Sequence, residues 1–241
     1  MDSKENSQQR DQLAYYDSQV TDYEKNNGLL KRGLTRAYER KAKIILKELE
    51  DIQPKKILEI GTGSGLMTYF ISKHFSEEVV GLDLSKEMLE MAKSRISNPK
   101  ISFVVGDGTK PDFVNETFDA VIGVDIIHHL EDPRAAMAEW KKLVRPGGKM
   151  VFLETNVYNP INLRNIGVEH EVRSFLNTDK NLTLWTKDGG WETVTVTPAA
   201  AYTPAGPKFM VPLYNIIDYI SPKIPVWKKL TALWLVSAQK K

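Results

Sequence analysis

Between residues 57 and 66 the chain reads Ile-Leu-Glu-Ile-Gly-Thr-Gly-Ser-Gly-Leu, an apolar run that empties into three glycines. Glycine permits a tight turn and lets a ligand approach the backbone closely. With a strand before the turn and a helix after it, the helix start adds free N–H groups and the positive end of its dipole. Mononucleotide-type ligands sit at this place in open α/β sheets, beyond the carboxyl ends of the strands. The spacing is G-x-G-x-G. A dinucleotide fingerprint would need its third glycine at position 66, which is Leu66, and no G-K-[ST] ending of a triphosphate loop follows. The turn is therefore not built around a pyrophosphate or triphosphate; an ordinary glycine-rich turn is the plainer alternative. Two further apolar runs end in acids. Val79-Val80-Gly81-Leu82 leads to Asp83, 22 residues beyond Gly61, and Val104-Val105-Gly106 leads to Asp107 and Gly108. A carboxylate at the first place can accept from both ribose hydroxyls, and one at the second from an adenine amino group. With Glu59 the set is acidic, which suits a cationic ligand better than an anionic one.

Those turns need strands to hold them side by side. Ile57–Ile60, Val79–Leu82, Ile101–Val105, Ala120–Val124 and Met150–Leu153 are short apolar runs, and helical patterns at Leu66–His74, Lys86–Ile96 and Pro133–Leu143 fill the gaps. Runs apolar at consecutive positions fit a parallel sheet covered on both faces. The alternation predicts βαβ crossovers and a three-layer, doubly wound α/β fold. Ahead of it, Leu34, Tyr38, Ala42, Ile45 and Leu49 recur on one helical face and predict a helix over 29–49. After Asn156 the alternation stops. The pattern predicts a helix over Asp179–Lys187 ended by Gly189-Gly190, a strand over Trp191–Thr197, a segment with six prolines over 198–228 and a last strand over Leu230–Ala238. The chain reads as a single domain: 1–53 a helical lid, 54–156 the ligand-binding core, 157–241 the substrate side.

Residues 55–156 resemble the class I S-adenosylmethionine (SAM) dependent methyltransferases, in particular the small-molecule and ubiquinone/menaquinone type with a methyltransferase type 11 domain. The stretches that carry the resemblance are Leu58-Glu59-Ile60-Gly61-Thr62-Gly63-Ser64-Gly65, Gly81-Leu82-Asp83-Leu84-Ser85 with Met88-Leu89, Gly106-Asp107, Phe118-Asp119-Ala120-Val121-Ile122, His128-His129-Leu130 and Val144-Arg145-Pro146-Gly147-Gly148. The resemblance implies a seven-stranded Rossmann-like sheet with its last strand antiparallel, SAM as cofactor and S-adenosylhomocysteine as product. It implies that Gly61, Gly63 and Gly65 wrap the methionine part, that Asp83 holds the ribose, that Leu84 packs on the adenine and that Asp107 faces its amino group. Glu59 is implied near the SAM ammonium, and the backbone of Gly123 and Val124 along the methionine end. Thr62, Met88 and Gly108 count with them as cofactor contacts. Tyr15-Tyr16-Asp17 and Tyr23 resemble an aromatic lead-in that folds over SAM as a lid, where ring faces attract the sulfonium; helix packing is the alternative.

Methyl transfer from a sulfonium is an in-line displacement with a good leaving group. The protein must align the acceptor, exclude water and, for an O–H or N–H acceptor, remove a proton. His129 is the first candidate base, with Asp125 four residues earlier to orient it; packing at the strand end is the alternative. His170 is the second candidate. Glu154, Thr155, Asn156 and Asn159 lie at the same rim as acceptor contacts or loop hydrogen bonders. Thr155-Asn156 stands where metal-assisted relatives carry Asp-Asn, so no metal is expected. The Asn/Asp-Pro-Pro-aromatic motif of amino-group DNA methylation is missing, and zero Cys excludes covalent pyrimidine chemistry, disulfides and thiolate metal sites.

With 33 Lys+Arg against 31 Asp+Glu, the net charge of +2 argues against a nucleic-acid acceptor. Lys31, Arg32, Arg36, Arg40, Lys41, Lys43 and Lys47 on the first helix, and the apolar segment from Phe209 to Trp227 beside Lys228 and Lys229, fit an anionic membrane surface or an isoprenoid or acyl acceptor. An active-site cover or dimer contact is the alternative. No stretch approaches 18 apolar residues and Met1 to Gln12 is polar, which predicts a soluble, cytoplasmic monomer or homodimer, peripheral at a membrane at most. The expected function is SAM-dependent methyl transfer to an O or N atom of a small molecule, lipid or isoprenoid included. The competing classes are a non-catalytic SAM-binding partner subunit and a nucleotide-dependent oxidoreductase.

Overall fold

The computed structural model describes residues 32–74, 77–159, 162, 176–199, 216 and 231–241. In chain order these form α1 (Arg32–Glu48), β1 (Lys56–Ile60), α2 (Leu66–Ser72), β2 (Glu78–Asp83), α3 (Lys86–Arg95), β3 (Ile101–Val105), β4 (Phe118–Val124), a 3-10 turn (Ile127–His129), α4 (Pro133–Leu143), β5 (Val144–Thr155), α5 (Asp179–Asp188), β6 (Glu192–Ala199) and β7 (Leu233–Gln239). The seven strands make one sheet in the order β3-β2-β1-β4-β5-β7-β6. The pairs from β3 to β5 are parallel, and β7 runs antiparallel to both β5 and β6. The order reverses between β1 and β4, so a crevice opens at their carboxyl ends.

Alternate side chains of each central strand feed two cores, because successive Cβ atoms point to opposite faces. Leu58, Ile60, Val121, Met150 and Phe152 meet Met137 and Trp140 of α4 and Leu182 of α5. Ile57, Ala120, Ile122, Val151 and Leu153 meet Ala42, Ile45 and Leu49 after and along α1 and Leu66, Met67, Phe70 and Ile71 of α2. This double coverage is why the strands read as unbroken apolar runs. Local chemistry starts the helices: Ser85 accepts from Met88 N at the head of α3, Asp132 caps α4 ahead of Pro133, and Thr178 caps α5.

The structure departs from the sequence reading in three places. β5 begins at Val144, six residues earlier than expected, because Arg145–Gly148 bulge within the strand where its register on β4 shifts between Phe118 and Ala120. Gly148 is required there, since a Cβ would stand 2.4 Å from the Asp119 carbonyl oxygen. β6 extends to Ala199, so Pro198 belongs to the edge strand, where a missing N–H is tolerated. The last strand starts at Leu233, three residues late. Most of the 198–228 segment lies outside the described residues.

Candidate active site

Three left-handed glycines shape the turn after β1: Gly61 (φ 70°), Gly63 (φ 52°) and Gly65 (φ 76°). The amides of Gly61 and Thr62 donate to the Leu82 carbonyl, which ties the turn to the end of β2. A Cβ on Gly61 would stand 2.8 Å from Ile126 Cδ1, whereas one on Gly63 would meet nothing nearer than Met88 Cε at 3.4 Å. A side chain at Gly61 would press on Ile126 as well as strain the backbone, whereas Gly63 has only the Met88 methyl in van der Waals range. Asp83 braces the turn: its Oδ2 accepts from Gly63 N at 2.7 Å and its Oδ1 from Ser85 N at 2.9 Å. A carboxylate oxygen can accept more than one hydrogen bond. One strand further out, Asp107 Oδ1 accepts from Thr109 N and Oγ1. The neighbouring Gly108 carbonyl accepts from Trp140 Nε1 at 2.7 Å, and that indole stacks on Phe152. Leu84 is half-buried beside Asp83.

Glu59 is buried beneath the turn. Thr62 Oγ1 donates to its Oε2 at 3.0 Å and Thr68 Oγ1 donates to the same oxygen. Burial pushes its carboxyl up to about 8, with the Asp83 charge adding to the rise and the threonine bonds opposing it.

The turn after β4 closes the other side of the crevice. Asp125 has a left-handed backbone (φ 53°), an uncommon state for a non-glycine residue. Burial alone would raise its carboxyl, but the Lys41 charge, with His128 and the Thr155 hydroxyl, holds it below the usual value. Lys41 Nζ of α1 lies 2.6 Å from Asp125 Oδ2, and Thr155 Oγ1 donates to Oδ1 at 2.9 Å. Asp125 therefore engages Lys41 and Thr155, not His129 as the four-residue spacing suggested. The histidine held by a carboxylate is His128, whose Nδ1 is 2.9 Å from Glu154 Oε2; both side chains are buried. His129 is half-buried, its ring centroid 4.0 Å from that of His128.

Glu59, Gly61, Thr62, Gly63, Gly65, Asp83, Leu84, Met88, Asp107, Gly108, Gly123, Val124 and His129 all sit on the carboxyl-end turns of β1 to β4 or on the residues that border them. Asn156 is spent on structure, donating to the Thr231 carbonyl, and Asn159 Oδ1 accepts from Asn162 N. Tyr16, Tyr23 and His170 lie outside the described residues. Lys41, masked in the sequence by five other basic residues on its helix, is the residue of this crevice that reading missed. Asn177, which donates to Glu154 Oε2 at 2.8 Å, had no signal at all.

A family model described as a methyltransferase domain matches residues 58–152, from β1 into β5. Residues 58–152 thus carry a methyltransferase domain. The chain is similar to the demethylmenaquinone methyltransferase of Renibacterium salmoninarum, 26% identical over 208 residues, 75% of this chain and 84% of that protein. Over 110 residues it is 33% identical to phosphoethanolamine N-methyltransferase 3 of Arabidopsis thaliana, 44% of this chain and 22% of the plant protein. In fold it matches the methyltransferase solved in complex with the Haloferax volcanii Trm112 methyltransferase activator, with a TM-score of 0.66 at 17% identity, covering 93% of this chain and 96% of that one.

The residues present fit the methyltransferase cofactor. SAM carries a sulfonium and an ammonium against one carboxylate, and the crevice offers it Glu59, Asp83 and Asp107 around a glycine turn with room above Gly63. Replacing Asp83 with Ala removes the carboxylate that the resemblance assigns to the ribose, and with it the brace on Gly63. SAM affinity should fall by about 1–3 kcal/mol, the cost of leaving buried donors unpaired. Titration calorimetry reads this directly; unchanged affinity would remove Asp83 from the site.

Proposed function

We propose that the protein transfers the methyl group of SAM to an oxygen or nitrogen atom of a small, largely apolar acceptor of the lipid or isoprenoid class. The observation that carries the acceptor class is the extent of the likeness to a demethylmenaquinone methyltransferase, which runs over 75% of the chain and so well past the cofactor core. The apolar segment from Phe209 to Trp227, with Lys228 and Lys229 beside it, supports the same acceptor class. Bound SAM would supply an electrophilic methyl group. The protein's own part is to hold SAM with the glycine turn, Glu59, Asp83 and Asp107, and to close the crevice with α1 through Lys41 and Asp125. Residues 1–53, with Tyr16 and Tyr23, form the lid in this reading, and His129 or His170 takes the proton of an O–H or N–H acceptor. Among the described residues no helix is long and apolar enough to cross a membrane.

The test uses purified protein, methyl-labelled SAM and a cell extract separated into organic and aqueous phases. Label in the organic phase is the expected result, and the carbon-13 shift of the product methyl then identifies the methylated atom. Label in the aqueous phase would overturn the lipid reading in favour of a polar metabolite. SAM binding with no label in either phase would favour a non-catalytic SAM-binding subunit.

A further inference from the structure

Glu154 follows the apolar run Met150–Leu153 near the carboxyl end of β5, and the structure buries it completely. Its Oε1 accepts from Ile126 N at 2.8 Å and from Ile127 N at 2.7 Å. Its Oε2 takes His128 Nδ1 at 2.9 Å and Asn177 Nδ2 at 2.8 Å. One carboxylate thus gathers the whole turn after β4 and ties it to the segment before α5. The turn in turn touches the cofactor loop: Ile126 Cδ1 lies 2.8 Å from where a Cβ on Gly61 would stand, and Ile126 Cγ2 lies 3.0 Å from the same point on Gly123.

We propose that Glu154 is a positioning residue for SAM: by fixing the amides of Ile126 and Ile127 it seats the Ile126 side chain against Gly61 and sets the turn that holds the methionine part. This rests on the reading that the Gly61–Gly65 turn seats SAM. A residue near the carboxyl end of β5 thereby controls affinity at the turn after β1.

The test is SAM titration without any acceptor. Glu154→Ala should bind SAM at least about tenfold more weakly, since the Ile126 and Ile127 amides lose their acceptor and the turn relaxes. Glu154→Gln keeps an oxygen for both amides and should stay within about threefold of the original affinity. It is accommodated because Asn177 Oδ1 has no partner among the described residues, so that amide can turn to accept from the new Gln. Ile126→Ala should weaken SAM as Glu154→Ala does, and the double variant should be no weaker than Glu154→Ala alone. A folded Glu154→Ala protein with unchanged affinity overturns the proposal, as does Glu154→Gln binding as weakly as Glu154→Ala. If Glu154→Ala does not fold, Ile126→Ala decides: tenfold loss supports the link and unchanged affinity overturns it. Gly63→Val in the same titration separates the two levels, because its failure to weaken SAM would displace the cofactor from the turn, whereas the Glu154 and Ile126 series tests the link across the sheet.

Discussion

A Gly63→Val protein should fold and yet lose SAM binding, by about a hundredfold or more. Two features of the structure separate these effects. The added Cβ would meet no protein atom closer than Met88 Cε, at 3.4 Å, so the core is not overpacked. The backbone at φ 52° costs a β-branched residue on the order of 1–3 kcal/mol, a strain that a domain of this size can carry. The side chain instead fills the space over the turn and disturbs the amide that donates to Asp83. Gly123→Val is the contrasting control. Its Cβ would stand 2.3 Å from the Phe152 ring, so that variant should lose stability outright. Thermal melts with and without S-adenosylhomocysteine read both. The original protein gains stability from a ligand that binds only the folded state, and Gly63→Val should melt near its original ligand-free temperature with no such gain. A ligand-induced rise equal to that of the original protein would place SAM elsewhere.

Glu59→Gln should make the ligand-free protein more stable at alkaline pH while weakening SAM. The Glu59 carboxyl ionises near 4.5 in an unfolded chain and at about 8 in the fold, chiefly because it is buried. Between those values the folded state holds a proton that the unfolded state has released. Stability therefore falls as pH rises through this window and levels off above it. Each unit corresponds to about 1.4 kcal/mol, so the full effect is of the order of a few kcal/mol. Glutamine keeps a carbonyl oxygen for Thr62 and Thr68 and carries no proton to lose. The difference in unfolding free energy between variant and original should grow from pH 5 to pH 8; a difference independent of pH would refute the assignment. The ammonium of SAM, on the other hand, favours the ionised carboxylate. Binding to the original protein near neutral pH should release a proton, seen as a calorimetric enthalpy that varies with the buffer, and Glu59→Gln should abolish that dependence.

The site was legible in the sequence wherever its chemistry is local. Gly61 to Gly65 announce their turn because a strand-to-helix reversal over so few residues needs positive φ, and Asp83 and Asp107 were found because each ends an apolar run. The core strands were found for the same reason, since a sheet covered on both faces leaves unbroken apolar runs. Element ends were less legible where pairing overrides pattern. Arg145 to Gly147 are exposed and look like a loop, yet Gly147 N donates to the Lys240 carbonyl and Lys240 N to that of Gly148, so the bulge is held inside β5 by the chain that follows β7.

By itself the sequence determined the α/β alternation, the glycine turn, the acids at the next two strand ends and the absence of thiol chemistry. The tertiary structure decided which partner each buried polar group takes. Asp125 could have met His129 four residues away, and the fold brought Lys41 and Thr155 to it instead, across 84 and 30 residues. Glu154 could have faced an acceptor, and the fold turned it inward to two backbone amides, His128 and Asn177. The physical reason is the same in both cases. A carboxylate drawn partly or wholly out of water must find donors within about 3 Å, and which donors stand there depends on how strands and helices cross, information that no local spacing carries.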